Sequence, residues 1–305
     1  MGRSGSSIWY EHHYNKTKRK YDPGKAHRKA YVRRKYSKFQ GKKIVDNSKL
    51  RDFVEEKLYD DQSPENISKR IKKHEKRLPP VSKDSIYRYI KSVYGRRIEY
   101  HRSKRKNRRK SRRRGAKEKL IDRKFIDQRP KIVEKRGRIG DAEADFIVSG
   151  KSGKGVILNV SDRKSRAPFL EQILNTTLDN VSISFLKIKK RFPELKTITT
   201  DNDLLLQHHK ELEKFLNVTI YFCHPYSSWE KGTVENINGC IRKDIPKGSD
   251  ISKYSKKFIR KIENKLQRKF MACLDQFTPL EVITRSRKQK QRRSAGKNSK
   301  TSHSN

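Results

Sequence analysis

Residues 140–145 read Gly-Asp-Ala-Glu-Ala-Asp, acids alternating with alanines, and no other stretch restricts the fold as much. A period of two belongs to a strand, in which Asp141, Glu143 and Asp145 project from one face and Ala142, Ala144 and Phe146 from the other. A turn at 150–155 leads to the apolar run 156–161, which reads as a buried strand, and 167–173 reads as a third. Beyond it the spacing predicts a helix over 181–191 with Ile183, Leu186 and Ile188 inside, a strand over 196–200, a helix over 204–216 and a fifth strand over 218–223. Three strands in meander followed by alternating helix and strand make an α/β sheet with mixed strand directions. Pro225 and Gly232 bracket a loop ahead of a helix carrying Glu235, and a basic helix covers 254–270. Residues 286–305 form a polar, cationic tail, expected to be disordered.

Charge decides the class of partner. The chain carries 79 Lys and Arg against 34 Asp and Glu, a net charge of +45 that exceeds what solubility requires and repels itself in a compact state. A polyanionic partner is implied. No apolar run approaches the roughly 20 residues of a spanning helix and no segment stands out as an interfacial anchor, so nucleic acid is favoured over a membrane. The length suggests about two domains, and 31% hydrophobic residues suffice only for modest cores. Cys223, Cys240 and Cys273 are single and far apart, offering neither a disulfide framework nor a zinc knuckle, which fits a reducing cytoplasm. His12-His13 and His208-His209 lack neighbouring ligands at metal spacing.

The N-terminal part is helical and basic. Residues 1–48 interleave Trp9, Tyr10, Tyr14, Tyr21, Tyr31 and Tyr36 with Lys and Arg. Within them, 4–11 reads as the last helix of a helix-turn-helix whose earlier helices are missing, which leaves either a shortened N-terminus with impaired end recognition or a misplaced start at Met1, and Pro23 opens a second helix. Residues 49–94 carry a three-helix pattern: an apolar stripe of Phe53, Val54 and Leu58, a helix started by Ser63-Pro64-Glu65 with Ile67 and Ile71, and a third capped by Ser82 and bearing Ile86, Ile90 and Val93. With Lys83, Arg88 and Lys91 on its polar face, the third helix has the pattern of a major-groove reader, an ordinary three-helix packing unit being the plainer alternative. Ten of the fourteen residues 101–114 are Lys or Arg, among them Arg108, Arg109, Arg112 and Arg113. The stretch 95–136 is therefore a basic linker, either a solvated tether or a strip that neutralises phosphates.

Three acids stand out from this basic background. Asp145 ends the alternating run, Asp201 ends the β-branched run 197–200, and Glu235, separated from Asp201 by 33 residues, lies at a helix start. Cleaving or transferring a phosphodiester requires an activated hydroxyl and a stabilised leaving oxyanion, which two Mg²⁺ (or Mn²⁺) ions held by a few carboxylates supply. Oxygen-only ligands favour Mg²⁺ over Zn²⁺. Each acid alone is an ordinary strand-end, turn or first-turn residue, whereas together they read as metal ligands of an enzyme acting on nucleic acid. Arg242, two turns beyond Glu235, is positioned to hold a phosphate. Asn236 and Asn238 either bond DNA or simply face solvent, and Trp229 and Tyr226 either stack on a base or clamp the loop.

The block Tyr221-Phe222-Cys223-His224-Pro225-Tyr226-Ser227-Ser228-Trp229-Glu230-Lys231-Gly232-Thr233-Val234-Glu235-Asn236, with Asn238-Gly239, Arg242 and Pro246-Lys247-Gly248-Ser249-Asp250, closely resembles the catalytic signature of the Insertion Sequence 30 family of bacterial transposases. Thr200-Asp201-Asn202 resembles its second-acid motif, residues 140–145 its first, and 278–282 its C-terminal end, while 63–67 and 86–90 resemble its internal helix-turn-helix. Ala142 stands where the family usually has an aromatic and Asp203 where it has glycine; neither removes a carboxylate. The resemblance implies a ribonuclease-H-like catalytic core over 137–285 preceded by the helix-turn-helix region, with Asp145, Asp201 and Glu235 as a DDE triad. It further implies cleavage at the element's terminal inverted repeats and transfer of the freed 3′-hydroxyls to target DNA by a homo-oligomer on DNA at the bacterial nucleoid. The alternative is a catalytically silent DNA-binding remnant that occupies terminal repeats and represses transposition.

Overall fold

Short polar side chains set the helix starts in the N-terminal third. The Asn47 amide oxygen accepts the Leu50 N–H (2.8 Å), Ser63 Oγ the Asn66 N–H (3.2 Å) and Ser82 Oγ the Ser85 N–H (3.1 Å), each satisfying a donor that has no partner within its own helix. The computed structural model describes residues 2, 4–16, 21–37, 42–103, 123–150, 153–201, 203–206, 208–224 and 227–301. The chain splits into two compact units, Met1–Lys104 and Arg105–Asn305. The first contains α1 (Gly5–Asn15), α2 (Pro23–Ser37), α3 (Lys42–Val45), α4 (Ser48–Tyr59), α5 (Pro64–Lys73), α6 (Lys83–Ile90) and α7 (Arg96–Ser103).

The core of this unit is made by α4, α5 and α6, which bury Leu50, Val54 and Leu58, Ile67 and Ile71, and Ile86, Tyr89 and Ile90. Ile44 of α3 and Ile98 of α7 complete it from outside the three helices expected from the sequence. The third of those helices stops at Ile90 and leaves Val93 exposed. The reason is the close return of the chain at Gly95, where a Cβ would lie 2.3 Å from the Tyr89 carbonyl oxygen and 2.5 Å from Ile90 Cα. Lys83 and Arg88 are exposed on α6. Arg108, Arg109, Arg112 and Arg113 lie outside the described residues.

The second unit is built on one sheet. After α8 (Lys131–Glu134) come β1 (Asp141–Val148), β2 (Val156–Asp162), β3 (Pro168–Ile173), α9 (Leu178–Arg191), β4 (Thr197–Thr200), α10 (His209–Leu216), β5 (Thr219–Phe222), α11 (Gly232–Ile241), α12 (Lys256–Gln267) and α13 (Pro279–Thr301). The strands lie in the order β3-β2-β1-β4-β5. β1, β2 and β3 pair antiparallel, with Asp145 opposite Asn159 and Glu143 opposite Ser161, whereas β1, β4 and β5 pair parallel, with Glu143 beside Thr199. Strand alternation separates the two faces. Ala142, Ala144, Phe146, Leu158, Val160 and Ile198 pack with Phe185, Ile188 and Leu212 from α9 and α10. Ile147, Ile157 and Leu170 pack on the opposite face with Ile237 and Ile241 of α11 and Ile259 and Ile262 of α12.

Details depart from the expected pattern. In α9, which starts at Leu178, Val181, Ser184, Phe185 and Ile188 form the buried stripe, and Ile183 points outward at 45% exposure. The predicted helix over 204–216 is a single 3-10 turn at Leu204–Leu206 followed by α10, because Asp203 Oδ1 accepts the Leu205 N–H and starts the turn separately. Residues 286–301, expected to be a disordered tail, continue α13; they are rich in Lys, Arg and Gln, which are good helix formers, and Arg287 is tied to Glu194 at 2.7 Å. The expected linker carries structure at its C-terminal end, where Phe125 bridges to Phe222 of β5.

Candidate active site

Each acid of the alternating run has its own partner. Gly140 places the run by a backbone at φ +109°, where a Cβ would meet the Glu194 carbonyl oxygen at 1.9 Å. Asp141, fully buried, pairs with Arg138 (3.0 Å) and accepts the Thr197 hydroxyl from β4 (2.9 Å). Glu143, 1% exposed, accepts the Thr233 and Val234 N–H groups with one oxygen (2.8 and 3.0 Å) and faces Arg163 with the other (3.2 Å). It thereby caps the first turn of α11, with its negative charge at the positive end of the helix. Arg166 adds a bond to Thr233 Oγ1 (2.7 Å).

Asp145 is held by a lysine and a side-chain amide rather than by an arginine. Its Oδ1 lies 3.1 Å from Lys231 Nζ, and its Oδ2 accepts the Asn238 amide at 2.5 Å. The register places Asn159 alongside, so that Asn159 Nδ2 donates to Asn238 Oδ1 (2.7 Å) and Ser161 Oγ donates to Asn159 Oδ1 (2.8 Å). The same Lys231 ammonium lies 3.4 Å from Asp201 Oδ2. Asp201 follows β4 on the face shared with Asp145, and its Oδ1 is buried without a hydrogen-bond partner. Glu235, exposed on the first turn of α11, sits one turn beyond Lys231.

The electrostatics show that these groups act on one another. Burial lifts the Asp145 carboxyl above the ordinary carboxylate range; Lys231 opposes the lift and Asp201 adds to it. Glu235 is raised as well, by burial first, with Asp145, Glu143 and Asp201 adding and Lys231 opposing. Burial works against the charge of Lys231, yet Asp145 and Asp201 outweigh it and hold the ammonium above the ordinary lysine range. Among the described residues no group of three or more His, Cys, Asp or Glu is arranged to hold a metal ion.

The outer expected residues divide. Asn238 turns inward and uses its amide on Asp145 and Asn159, whereas Asn236 is exposed. Arg242 is the C-cap of α11; its guanidinium donates to the Val148 carbonyl (3.2 Å), and burial holds it below its usual range while the charge of Asp145 acts in the opposite direction. Trp229 is 75% exposed, and Tyr226 lies outside the described residues. The loop ahead of α11 is fastened by His224, whose ring nitrogens meet Glu230 and Asp127, each at 2.9 Å. The sequence pattern does not single out Lys231, Asn159 or the capping role of Glu143. The position of Lys231, four residues before Glu235, is the one signal it holds for them.

The five-stranded sheet ordered β3-β2-β1-β4-β5, antiparallel in one half and parallel in the other, with Asp145 on its central strand and Asp201 directly after the neighbouring β4, is a mixed α/β sheet of the ribonuclease-H-like class. The chain belongs to the Insertion Sequence 30 family of transposases. It is 37% identical over 224 residues to the transposase for insertion sequence element IS4351 of Bacteroides fragilis, covering 72% of this chain and 68% of that protein. It is 30% identical to transposase InsI for element IS30A of Escherichia coli strain K12, covering 93% of this chain and 77% of that one. Among solved structures, the catalytic core domain of BIV integrase matches at 17% identity with a TM-score of 0.39, over 50% of this chain and 97% of that one. No family model matches the chain. No described helix is long and apolar enough to cross a membrane.

Proposed function

We infer that the protein cleaves phosphodiester bonds at the terminal inverted repeats of its element and joins the freed 3′-hydroxyls to target DNA, with Asp145, Asp201 and Glu235 as the catalytic acids. The observation that carries this reading is the facing of Asp145 and Asp201 on one buried cation, Lys231, with Glu235 one helical turn beyond that lysine. The residues fit divalent metal: the donors are all oxygen, the two aspartates share a cation position, and Asp201 Oδ1 is buried with no partner. Magnesium commonly takes only one or two carboxylates and fills its remaining positions with substrate phosphate and water. When bound there, a pair of Mg²⁺ or Mn²⁺ ions supplies the charge that activates the attacking hydroxyl and stabilises the leaving oxygen.

The chain's own residues would do the positioning. Asn238 and Asn159 hold Asp145 in one orientation, and Glu143 fixes the start of α11 and with it the place of Glu235. Arg242, at the end of the same helix, would bind a phosphate of the DNA, as would Asn236. In the N-terminal unit, α6 would enter the major groove with Lys83 and Arg88, and the 101–114 run would neutralise phosphates.

Replacing Asp145 or Asp201 by Asn, or Glu235 by Gln, keeps the shape and removes the charge. Cleavage and strand transfer on terminal-repeat DNA should each fall by orders of magnitude while binding of the same DNA stays near wild type. A wild-type protein that binds the repeats with Mg²⁺ or Mn²⁺ present and never nicks them would instead be the repressing remnant.

A further inference from the structure

One cation in the site is supplied by the chain itself. Lys231 Nζ stands 3.1 Å from Asp145 and 3.4 Å from Asp201, and its side chain is 6% exposed, so the ammonium has exchanged water for the two carboxylates. Lys231 directly precedes α11, whose first turn is clamped by Glu143 and Arg166, so the side chain starts from a fixed point. The two facing carboxylates, 23% and 41% exposed, repel one another without a counter-charge, and a second cation cannot occupy the position that the ammonium fills.

We propose that Lys231 is a tethered counter-ion of the catalytic carboxylates: it fills the cation position between Asp145 and Asp201 in the metal-free protein and withdraws when a divalent ion is taken up. The proposal rests on the reading of Asp145 and Asp201 as metal ligands. It makes Lys231 a positioning residue with two effects, holding the two aspartates facing one another before metal arrives and keeping the affinity for metal low while it remains. The attraction of both aspartates, which outweighs burial and keeps the ammonium charged, is consistent with this role.

The test uses the full chain without DNA and Mg²⁺ alone as the probe. By calorimetry, Lys231→Met should bind Mg²⁺ roughly tenfold more tightly than wild type because the competing charge is gone. Lys231→Arg should stay near wild type, and Asp145→Asn should lose binding. Lysine acylation followed by mass spectrometry reads the same event in the unmutated chain, so the test survives a Lys231→Met variant that fails to fold. Lys231 should be protected without Mg²⁺ and labelled several-fold more with it, while lysines that are exposed in both states do not change. Unchanged or weakened Mg²⁺ affinity in a folded Lys231→Met, or unchanged protection of Lys231, overturns the proposal. If Asp145→Asn abolishes binding while Lys231→Met gains none, the counter-ion role alone fails. If Asp145→Asn binds Mg²⁺ like wild type, the metal reading of Asp145 fails and takes the counter-ion role with it.

Discussion

Glu143 and Asp145 leave β1 on the same face two residues apart, and what separates them is what each side chain reaches. Glu143 is closed in by two backbone N–H groups and Arg163, whereas Asp145 meets one amide and an ammonium shared with Asp201. Glu143→Gln should therefore act through stability, costing about 1–3 kcal/mol because a charged acceptor at a buried helix start becomes neutral. Asp145→Asn should cost less, since Asn still accepts from Asn238 and no longer holds a charge that burial disfavours. Denaturant titration of the two variants beside their cleavage rates checks this, and a Glu143→Gln protein as stable as wild type would contradict it. The alternation in the sequence shows that three acids share a face but not which of them is already committed. Commitment depends on Arg138, Arg163 and residues 233–234, which reach these acids only through the folded sheet and the helix start.

At the scale of elements, the loop between β5 and α11 is held by an ion-paired histidine. Glu230 first, and Asp127 with it, keep the His224 imidazole protonated above its usual range. The folded-state value is thus raised above the unfolded one, near about 6.5. The stabilisation is present in full below that value and is lost as pH rises through the higher folded value. The difference in melting temperature between wild type and His224→Gln should accordingly be largest on the acid side of neutrality and shrink in alkali; a constant difference would show that the tie does not depend on charge. The strands of this unit and the helices capped by Asn47, Ser63 and Ser82 are legible in the sequence because alternation, apolar runs and capping residues are local signals. The ends of elements are less so. Val93 leaves the apolar stripe because the chain returns at Gly95, and Ile183 falls on the outer face because the start of α9 at Leu178 sets its phase. Lys231 looks like one more cation among 79 Lys and Arg, and only the fold brings two aspartates to it.

Across the whole molecule, a net charge of +45 predicts DNA binding whose affinity falls steeply and linearly with salt on logarithmic axes. Neutralising the 101–114 cations should weaken every duplex alike and flatten that slope by about 0.9 for each phosphate left without a cation, as measured by fluorescence anisotropy over a salt series. An unchanged slope would mean that the stretch does not touch phosphate. The sheet itself carries a further consequence, for handling the protein. At its β3 border the Leu170 N–H is taken by Glu263 and the Leu170 carbonyl by Arg191, while Gln267 takes the Pro168 carbonyl. At its β5 border the Phe222 N–H is taken by the Lys124 carbonyl, thirteen residues ahead of where the sequence pattern begins the catalytic core. A fragment cut at 137 would expose that strand as an open template for a neighbouring molecule, whereas one beginning at 123 keeps it covered. Light scattering should find the shorter fragment aggregating at concentrations where the longer one stays monodisperse, so those few residues act as the sheet's guard against polymerising.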